Sequence, residues 1–452
     1  MIPPPQSPET DAPRRLPRYT SYPAAPQFHE RVDAATYRAW LQSIDPGAKA
    51  SIYLHVPYCT AMCWYCGCHT TVSKGYGAIG RYVAPLMAEI DLVADAIPHR
   101  LSVSHIHWGG GTPNLLTAAD VQRIMDRIAE RFEIRPETEI AAELDPRTLD
   151  EARVAAFASC GMTRASIGVQ DFDPQVQAAV NREQPYEMTA TAVDLLRDYG
   201  VDGINLDLLY GLPHQTVDSL RGTIDRALGL LPDRVALFGY AHVPWMKTHQ
   251  IRIPEDALPD APTRRALCTT ARAQFTAAGY RAVGIDHFAR PGDTLATAVA
   301  AGALRRNFQG YTTDDAPVLL AFGASAIGCL PGGYVQNAAD ETAWRAAITS
   351  GRLATRRGHA LSDDDRLRRA IIERLMCDLR VDLAAIGACH GVDPATFTPE
   401  CDAVDDLAAA GQAWRDGWRI GVSPDAPELA RAVSAVFDRY LPSSAARHSL
   451  LV

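Results

Sequence analysis

Four of the ten cysteines in this chain fall within ten residues: Cys59, Cys63, Cys66 and Cys68. The first three have the spacing CxxxCxxC and directly follow the apolar run Ser51–Val56. Thiolates are soft ligands suited to an iron–sulfur cluster or to zinc. Three in one tight loop hold three corners of a 4Fe–4S cubane and leave the fourth iron open to a substrate. Cys68 would close that corner if it ligated, so Cys59, Cys63 and Cys66 are read as the metal ligands and Cys68 is not. A structural zinc site would need a second pair to complete its tetrahedron. Cys160, Cys268, Cys329, Cys377, Cys389 and Cys401 are isolated and offer none. Inert buried thiols would not account for the clustering.

Other residues could complete a site around this loop. Gly109–Gly110–Gly111–Thr112 follows an apolar run, where glycines let backbone approach a ligand and Thr112 adds a hydroxyl. The run is otherwise an ordinary turn, and it does not fit the GxGxxG dinucleotide fingerprint. Glu143 and Asp207 read as acids at strand ends, either capping helices on a solvated rim or bonding a ligand. Gln170 and Arg182 extend this polar set, with a surface ion pair as the plain alternative for Arg182. Tyr53, just before the cysteine loop, and Tyr65, within it, read as core aromatics or ligand contacts. His55, His107, His242 and His287 lie near these motifs and read as hydrogen-bonding core residues.

The elements that must hold these residues alternate in type. Short apolar runs at Ser51–Val56, His105–Trp108, Glu139–Leu144, Arg164–Val169, Ile204–Leu209, Val235–Tyr240 and Arg281–Ile285 read as strands. Helical stretches such as Tyr82–Ala96, Ala118–Phe132 and Met188–Tyr199 separate most of them. Such alternation implies a parallel sheet, with chemistry at the strands' C-terminal ends. The fold class is α/β, an open or partial (β/α) barrel. The first 17 residues hold six prolines and read as a mobile tail. Arg18–Pro23 reads as an aromatic strap. Beyond Thr355–Ser362 the pattern is helical, opened by an N-cap at Ser362 and acids in the first turn. The expected division is a tail and strap over 1–35, a catalytic domain over 36–355 and a small, mostly helical domain over 356–452.

The formal charge of −9, with signs interspersed, lacks the basic footprint of a nucleic-acid binder. The start MIPPPQSPET carries no secretory signal pattern, and no apolar stretch has the length of a membrane span. The expectation is a cytoplasmic protein with reduced cysteines.

The CxxxCxxC loop, with an aromatic before its third cysteine, resembles the signature of the radical S-adenosylmethionine superfamily. Within it, Cys68, the Arg18–Pro23 strap and the stretches HWGGGTP, ELDPR, GVQDF, VNREQ, NLDLLYGLP, YAHVP, DHFARP and RNFQGYTT resemble the oxygen-independent coproporphyrinogen III oxidases. The resemblance implies a barrel of the radical S-adenosylmethionine type, a 4Fe–4S cluster and two S-adenosylmethionine molecules. It assigns Tyr53, Gly110, Glu143, Ala241 and Ile327 to the molecule on the cluster. It assigns Tyr65, Gly111, Thr112, Gln170, Arg182 and Asp207 to the second. The implied reaction decarboxylates two propionates of coproporphyrinogen III to vinyl groups through a 5′-deoxyadenosyl radical, giving protoporphyrinogen IX. The implied partners are that substrate and a cytosolic electron donor such as a flavodoxin or ferredoxin, with the chain a monomer. Arg18, Arg290 and Arg306 are candidates for the substrate's carboxylates. The rivals are a radical enzyme that methylates or opens a haem-like ring, and a haem carrier. Relatives of those kinds lack the last cysteine of the loop, so Cys68 favours the decarboxylase.

Overall fold

The computed structural model describes residues 16–424 and 426–441. Seven parallel strands form its centre: β1 (Lys49–Val56), β2 (Ser102–Gly110), β3 (Glu133–Leu144), β4 (Arg164–Gln170), β5 (Gly203–Tyr210), β6 (Arg234–Gly239) and β7 (Val318–Phe322). Their spatial order is β7-β1-β2-β3-β4-β5-β6. Antiparallel strands extend both ends of this array into a twelve-stranded sheet whose outer edges do not pair, so the barrel is open. The crossovers are helices such as Tyr76–Ala96, Ala118–Arg131 and Tyr186–Asp198, each burying one apolar stripe. The strands' outward faces pack on those stripes in one core that includes Ile52, Leu54, Ile106, Trp108, Ile167, Leu206 and Val235. Among the described residues no helix is long and apolar enough to cross a membrane.

Two expectations about the sheet need correction. The run at Arg281–Ile285 is not another parallel unit. Arg281–Val283 pairs antiparallel with His287–Ala289 at the sheet's edge, because two tight strands leave no length for a crossover helix. The seventh parallel strand is instead Val318–Phe322, which pairs with β1 on the far side.

Beyond Ser362 the chain forms helices Asp363–Asp378, Leu383–His390 and Thr398–Ala409, and also a three-stranded antiparallel sheet from Arg380–Asp382, Ala413–Asp416 and Arg419–Val422. The cap read at Ser362 is a capping box with Asp365. The strap is part of this unit's core: Tyr19 and Tyr22 are buried with Leu375, Phe397 and Phe437, and Tyr19 Oη donates to Asp438 at 3.0 Å. The tail expected over residues 1–17 lies outside the described residues except for Leu16 and Pro17. These two are buried, and their carbonyls accept from Arg431.

Candidate active site

The cysteine loop leaves β1 and is fixed through its backbone from several sides. Trp64 N–H donates to Val180 O at 2.9 Å, and Asn181 Nδ2 donates to Met62 O at 2.8 Å. Gln250 Nε2 donates to Tyr65 O at 3.0 Å and Lys247 Nζ to Cys68 O at 2.9 Å, while His249 Nε2 lies 2.7 Å from Cys66 O. A loop so anchored presents its thiols in a set direction. Cys59, Cys63, Cys66 and Cys68 all line one cavity of about 170 Å³.

That cavity suits an anionic sulfur-held cluster. Arg147 Nη2 and Arg182 Nη1 each donate to Cys63 Sγ at 3.6 Å, Thr112 Oγ1 donates to Cys59 Sγ at 3.5 Å, and Cys68 N–H donates to Cys66 Sγ at 3.4 Å. Donors aimed at sulfur favour the thiolate and tune a cluster's potential. The Cys68 thiol, hydrogen-bonded to Cys66, pulls Cys66 down to about 6 against burial, with Lys247 and Arg182 adding to it. Burial pushes Cys59 up to about 11.

The glycine turn lies directly across from this loop. Strand register pairs Val56 with Gly110, and Gly111 N–H donates to Val56 O at 2.9 Å. A Cβ on Gly111 would sit 2.6 Å from Tyr58 O, and one on Gly110, whose φ is +108°, 2.6 Å from the His55 ring. The turn therefore depends on the absence of side chains. Gly110 N–H donates to Glu143 Oε2 at 3.1 Å, and His107 Nε2 lies 3.3 Å from Glu143 Oε1. Burial works against the Glu143 charge, yet the bond and charge of His107, the Gly110 N–H and His55 together hold it below the usual carboxylate range. Tyr53 stacks on His107 at 6.0 Å between centroids, and its Oη lies 3.0 Å from His55 Nδ1.

Asp207 is not at a strand end. It lies inside β5, paired in register with Gly168, and its oxygens accept from Ser166 Oγ at 2.9 Å and Asn205 Nδ2 at 2.8 Å. Burial pushes it up to about 6, with the Glu143 charge adding and the two hydrogen bonds opposing. Gln170 ends β4 at φ +72°, beside a register shift between Gly168 and Gln170. Bulges of this kind re-aim a side chain next to a site. Arg182 is buried, donates to Gly168 O at 2.6 Å and lies 3.7 Å from Asp145.

Tyr65, Gly110, Gly111, Thr112, Glu143, Gln170, Arg182 and Asp207 line the cavity of the cysteines. A second cavity, of about 300 Å³, fills the barrel and is lined by Tyr53, His107, His287 and Tyr311 among others. Cys68, Glu143, Ser166 and Asp207 belong to both walls, so the two spaces adjoin. Ala241 lies just beyond β6, and Ile327 starts the antiparallel strand Ile327–Leu330; neither lines either cavity. Several buried polar atoms here lack protein partners, among them Arg182 Nε and Asn205 Oδ1. Buried polar groups are ordinarily satisfied, and a ligand rich in hydroxyl, carboxylate and ammonium groups would satisfy these.

Three kinds of residue were missed or misread in the sequence. His107 faces Glu143 and lines the barrel cavity rather than filling a generic core, whereas His55 and His287 are buried and hydrogen-bonded, as read. Asp145 and Arg147 form an ion pair at 2.7 Å beside Cys63, for which the polar turn Asp145–Pro146–Arg147 after β3 was the available signal. Lys247, His249 and Gln250 clamp the cysteine loop from nearly two hundred residues away, and no local pattern announces that. Of the arginine candidates, Arg18 Nη2 donates to Gly239 O at 3.0 Å, at the C-terminal end of β6. Arg306 lies 4.5 Å from the ring centroid of Tyr311, with Nε and Nη1 buried and without hydrogen bonds. Arg290 is not at the site: it lies beside Asp233, at the opposite end of β6.

Comparison with known proteins adds a consistent result. Residues 53–227 match the Radical SAM superfamily. The chain is 50% identical to the oxygen-independent coproporphyrinogen III oxidase of Bradyrhizobium diazoefficiens, over 97% of both chains. It is 44% identical to the enzyme of that name from Paracoccus denitrificans, again over 97% of both. The solved structure of Escherichia coli HemN, described as a coproporphyrinogen III oxidase and a radical SAM enzyme, superimposes with a TM-score of 0.89 at 34% identity. That match covers 94% of this chain and 100% of the other.

Proposed function

This chain belongs to the family of oxygen-independent coproporphyrinogen III oxidases within the radical S-adenosylmethionine superfamily, and on that premise we propose how its own residues serve the reaction. The activity is the oxidative decarboxylation of two propionates of coproporphyrinogen III to vinyl groups, giving protoporphyrinogen IX. When bound, the 4Fe–4S cluster and S-adenosylmethionine supply a one-electron cleavage that yields methionine and a 5′-deoxyadenosyl radical able to take a propionate β-hydrogen. Loss of carbon dioxide and of one further electron then completes each vinyl group.

Cys59, Cys63 and Cys66 hold the cluster, and the Arg147, Arg182 and Thr112 donors stabilise their sulfurs. Cys68 stays off the metal. Glu143, charged and tied to Gly110, receives the ammonium of the methionine end. Tyr53 and Gly110 complete that place by packing and close backbone approach, with Ala241 and Ile327 contributing backbone and apolar contact. Asp207, Gln170, Arg182, Tyr65, Gly111 and Thr112 form the place of the second S-adenosylmethionine.

The remote carboxylates of the substrate fall to Arg18 and Arg306. The buried, unbonded Nε and Nη1 of Arg306 are suited to a carboxylate, because a guanidinium presents donors in pairs. The reaction runs in the cytoplasm and in a monomer, with its electron from a small soluble carrier. What supports this reading is one arrangement: three thiols and two carboxylates, Glu143 and Asp207, converge on adjoining cavities inside an open barrel. Anaerobic incubation with coproporphyrinogen III, S-adenosylmethionine and dithionite tests it. Mass analysis should find the substrate short of two carbon dioxides and four hydrogens, two for each propionate. A methylated or opened ring, or tightly bound haem without turnover, would contradict it.

A further inference from the structure

Two segments bonded to the cysteine loop carry exposed apolar side chains. Among the described residues six large hydrophobic side chains are exposed: Val72, Tyr199, Leu231, Trp245, Met246 and Ile251. Four of them lie on the two segments bonded directly to the cysteine loop. Val72 pairs with Cys59 in a short parallel ladder, and Ser73 N–H donates to Cys59 O at 2.9 Å. Trp245, Met246 and Ile251 flank the Lys247, His249 and Gln250 side chains that bond the carbonyls of Cys68, Cys66 and Tyr65. Met246 is 62% exposed and Ile251 70%, and none of the four lines either cavity.

The charge of this surface differs from that of the protein. The chain as a whole carries −9, yet from Trp245 to Arg252 it has Lys247, His249 and Arg252 and no acid. The whole sequence contains three lysines, and two of them, Lys74 and Lys247, are on these segments. Glu255, on the following turn, lies 3.6 Å from His242. Arg252 sits 5.7 Å from the ring centroid of Trp64, within the cysteine loop.

We propose that Trp245–Arg252, with Val72 and Lys74, forms the docking surface for a small acidic one-electron carrier protein that reduces the cluster. The inference rests on the function given above, because that reaction draws one electron per S-adenosylmethionine cleaved from outside the protein. The carrier is oxidised by one electron, and the cluster behind the loop is reduced by it. An exposed Met and Trp rimmed by cations fits a transient redox encounter, in which charge steers approach and a small apolar contact holds it briefly. The surface is one hydrogen bond from the ligand loop, which gives the electron a short path.

The test uses the cluster-loaded enzyme and a bacterial flavodoxin as probe. In Met246→Glu/Ile251→Glu, flavodoxin binding, read by flavin anisotropy at low salt, should weaken by about tenfold or more. The stopped-flow rate of cluster bleaching by reduced flavodoxin should fall in proportion. Bleaching by dithionite, and dithionite-driven product formation, should match the wild type. Met246→Asp alone serves if the double variant is poorly folded, with a smaller shift in the same direction. Unchanged flavodoxin binding and reduction would overturn the proposal. So would an equal loss of dithionite-driven turnover, which would make the segment part of the substrate enclosure. A wild type that binds flavodoxin but never decarboxylates would count against the function and leave the docking comparison standing.

Discussion

Glu143 Oε2 accepts the backbone N–H of Gly110 at 3.1 Å, so the acid of β3 is locked to the glycine turn at the end of β2. His107, two residues behind the turn's first glycine, faces the other carboxylate oxygen at 3.3 Å. The carboxylate is thereby charged, oriented and placed beside the cysteine cavity before any ligand arrives.

Glu143→Ala should weaken S-adenosylmethionine binding by about tenfold or more, since a charge-assisted hydrogen bond is worth roughly 1.5–3 kcal/mol. The cluster's visible absorbance should survive, because Glu143 bonds no cysteine. Equilibrium dialysis of the reconstituted protein measures this, and unchanged affinity would make Glu143 a structural clamp only.

Gly110→Ala should be costly where Gly222→Ala is not. Gly110 has a left-handed φ and no room for a Cβ, whereas a Cβ at Gly222, inside helix Val217–Gly229, meets nothing within 4 Å. The first change should cost about 1–3 kcal/mol of stability and impair cofactor binding. The second should be neutral or stabilising by about 0.5–1 kcal/mol. Thermal unfolding of the two variants gives the comparison.

Cys59→Ala, Cys63→Ala and Cys66→Ala should each abolish the 4Fe–4S absorbance and its low-temperature resonance after reconstitution. Cys68→Ala should retain both. Loss of the cluster in all four would mean that Cys68 is a ligand and that no iron corner is open.

Asp207 titrates near 6, above the ordinary aspartate value, because burial disfavours its charge. It is therefore a carboxylate above about pH 6 and neutral below. Binding at the second S-adenosylmethionine place should weaken as pH falls through that value. Asp207→Asn should bind more weakly at pH 7.5 and lose this acidic limb. An identical limb in the variant would assign the titration to another group.

Much of this architecture was legible because strands and thiols write short-range patterns. Runs such as Ser51–Val56 and Arg164–Val169 are apolar over the length of a buried strand, and CxxxCxxC declares its chemistry without help from the fold. The rest depends on distant pairing. Val318–Phe322 looks like any apolar run until β1 takes it as a parallel partner, and Arg281–Val283 is an edge strand only because a tight turn follows it. Asp207 read as a strand-end acid although the run itself was read as Ile204–Leu209; the strand spans Gly203–Tyr210, and the acid lies within it. The strap aromatics Tyr19 and Tyr22 were visible, but their core partners lie more than three hundred residues away. His107 could not be told from a core histidine until Glu143 stood beside it.

The central claim is that this site directs a radical to a propionate β-carbon. The most direct measurement uses coproporphyrinogen III deuterated at the propionate β-positions, with S-adenosylmethionine and a reductant under anaerobic conditions. Deuterium should appear in 5′-deoxyadenosine, with methionine, 5′-deoxyadenosine and carbon dioxide formed in about equal amounts. Decarboxylated product without deuterium in 5′-deoxyadenosine would contradict the account.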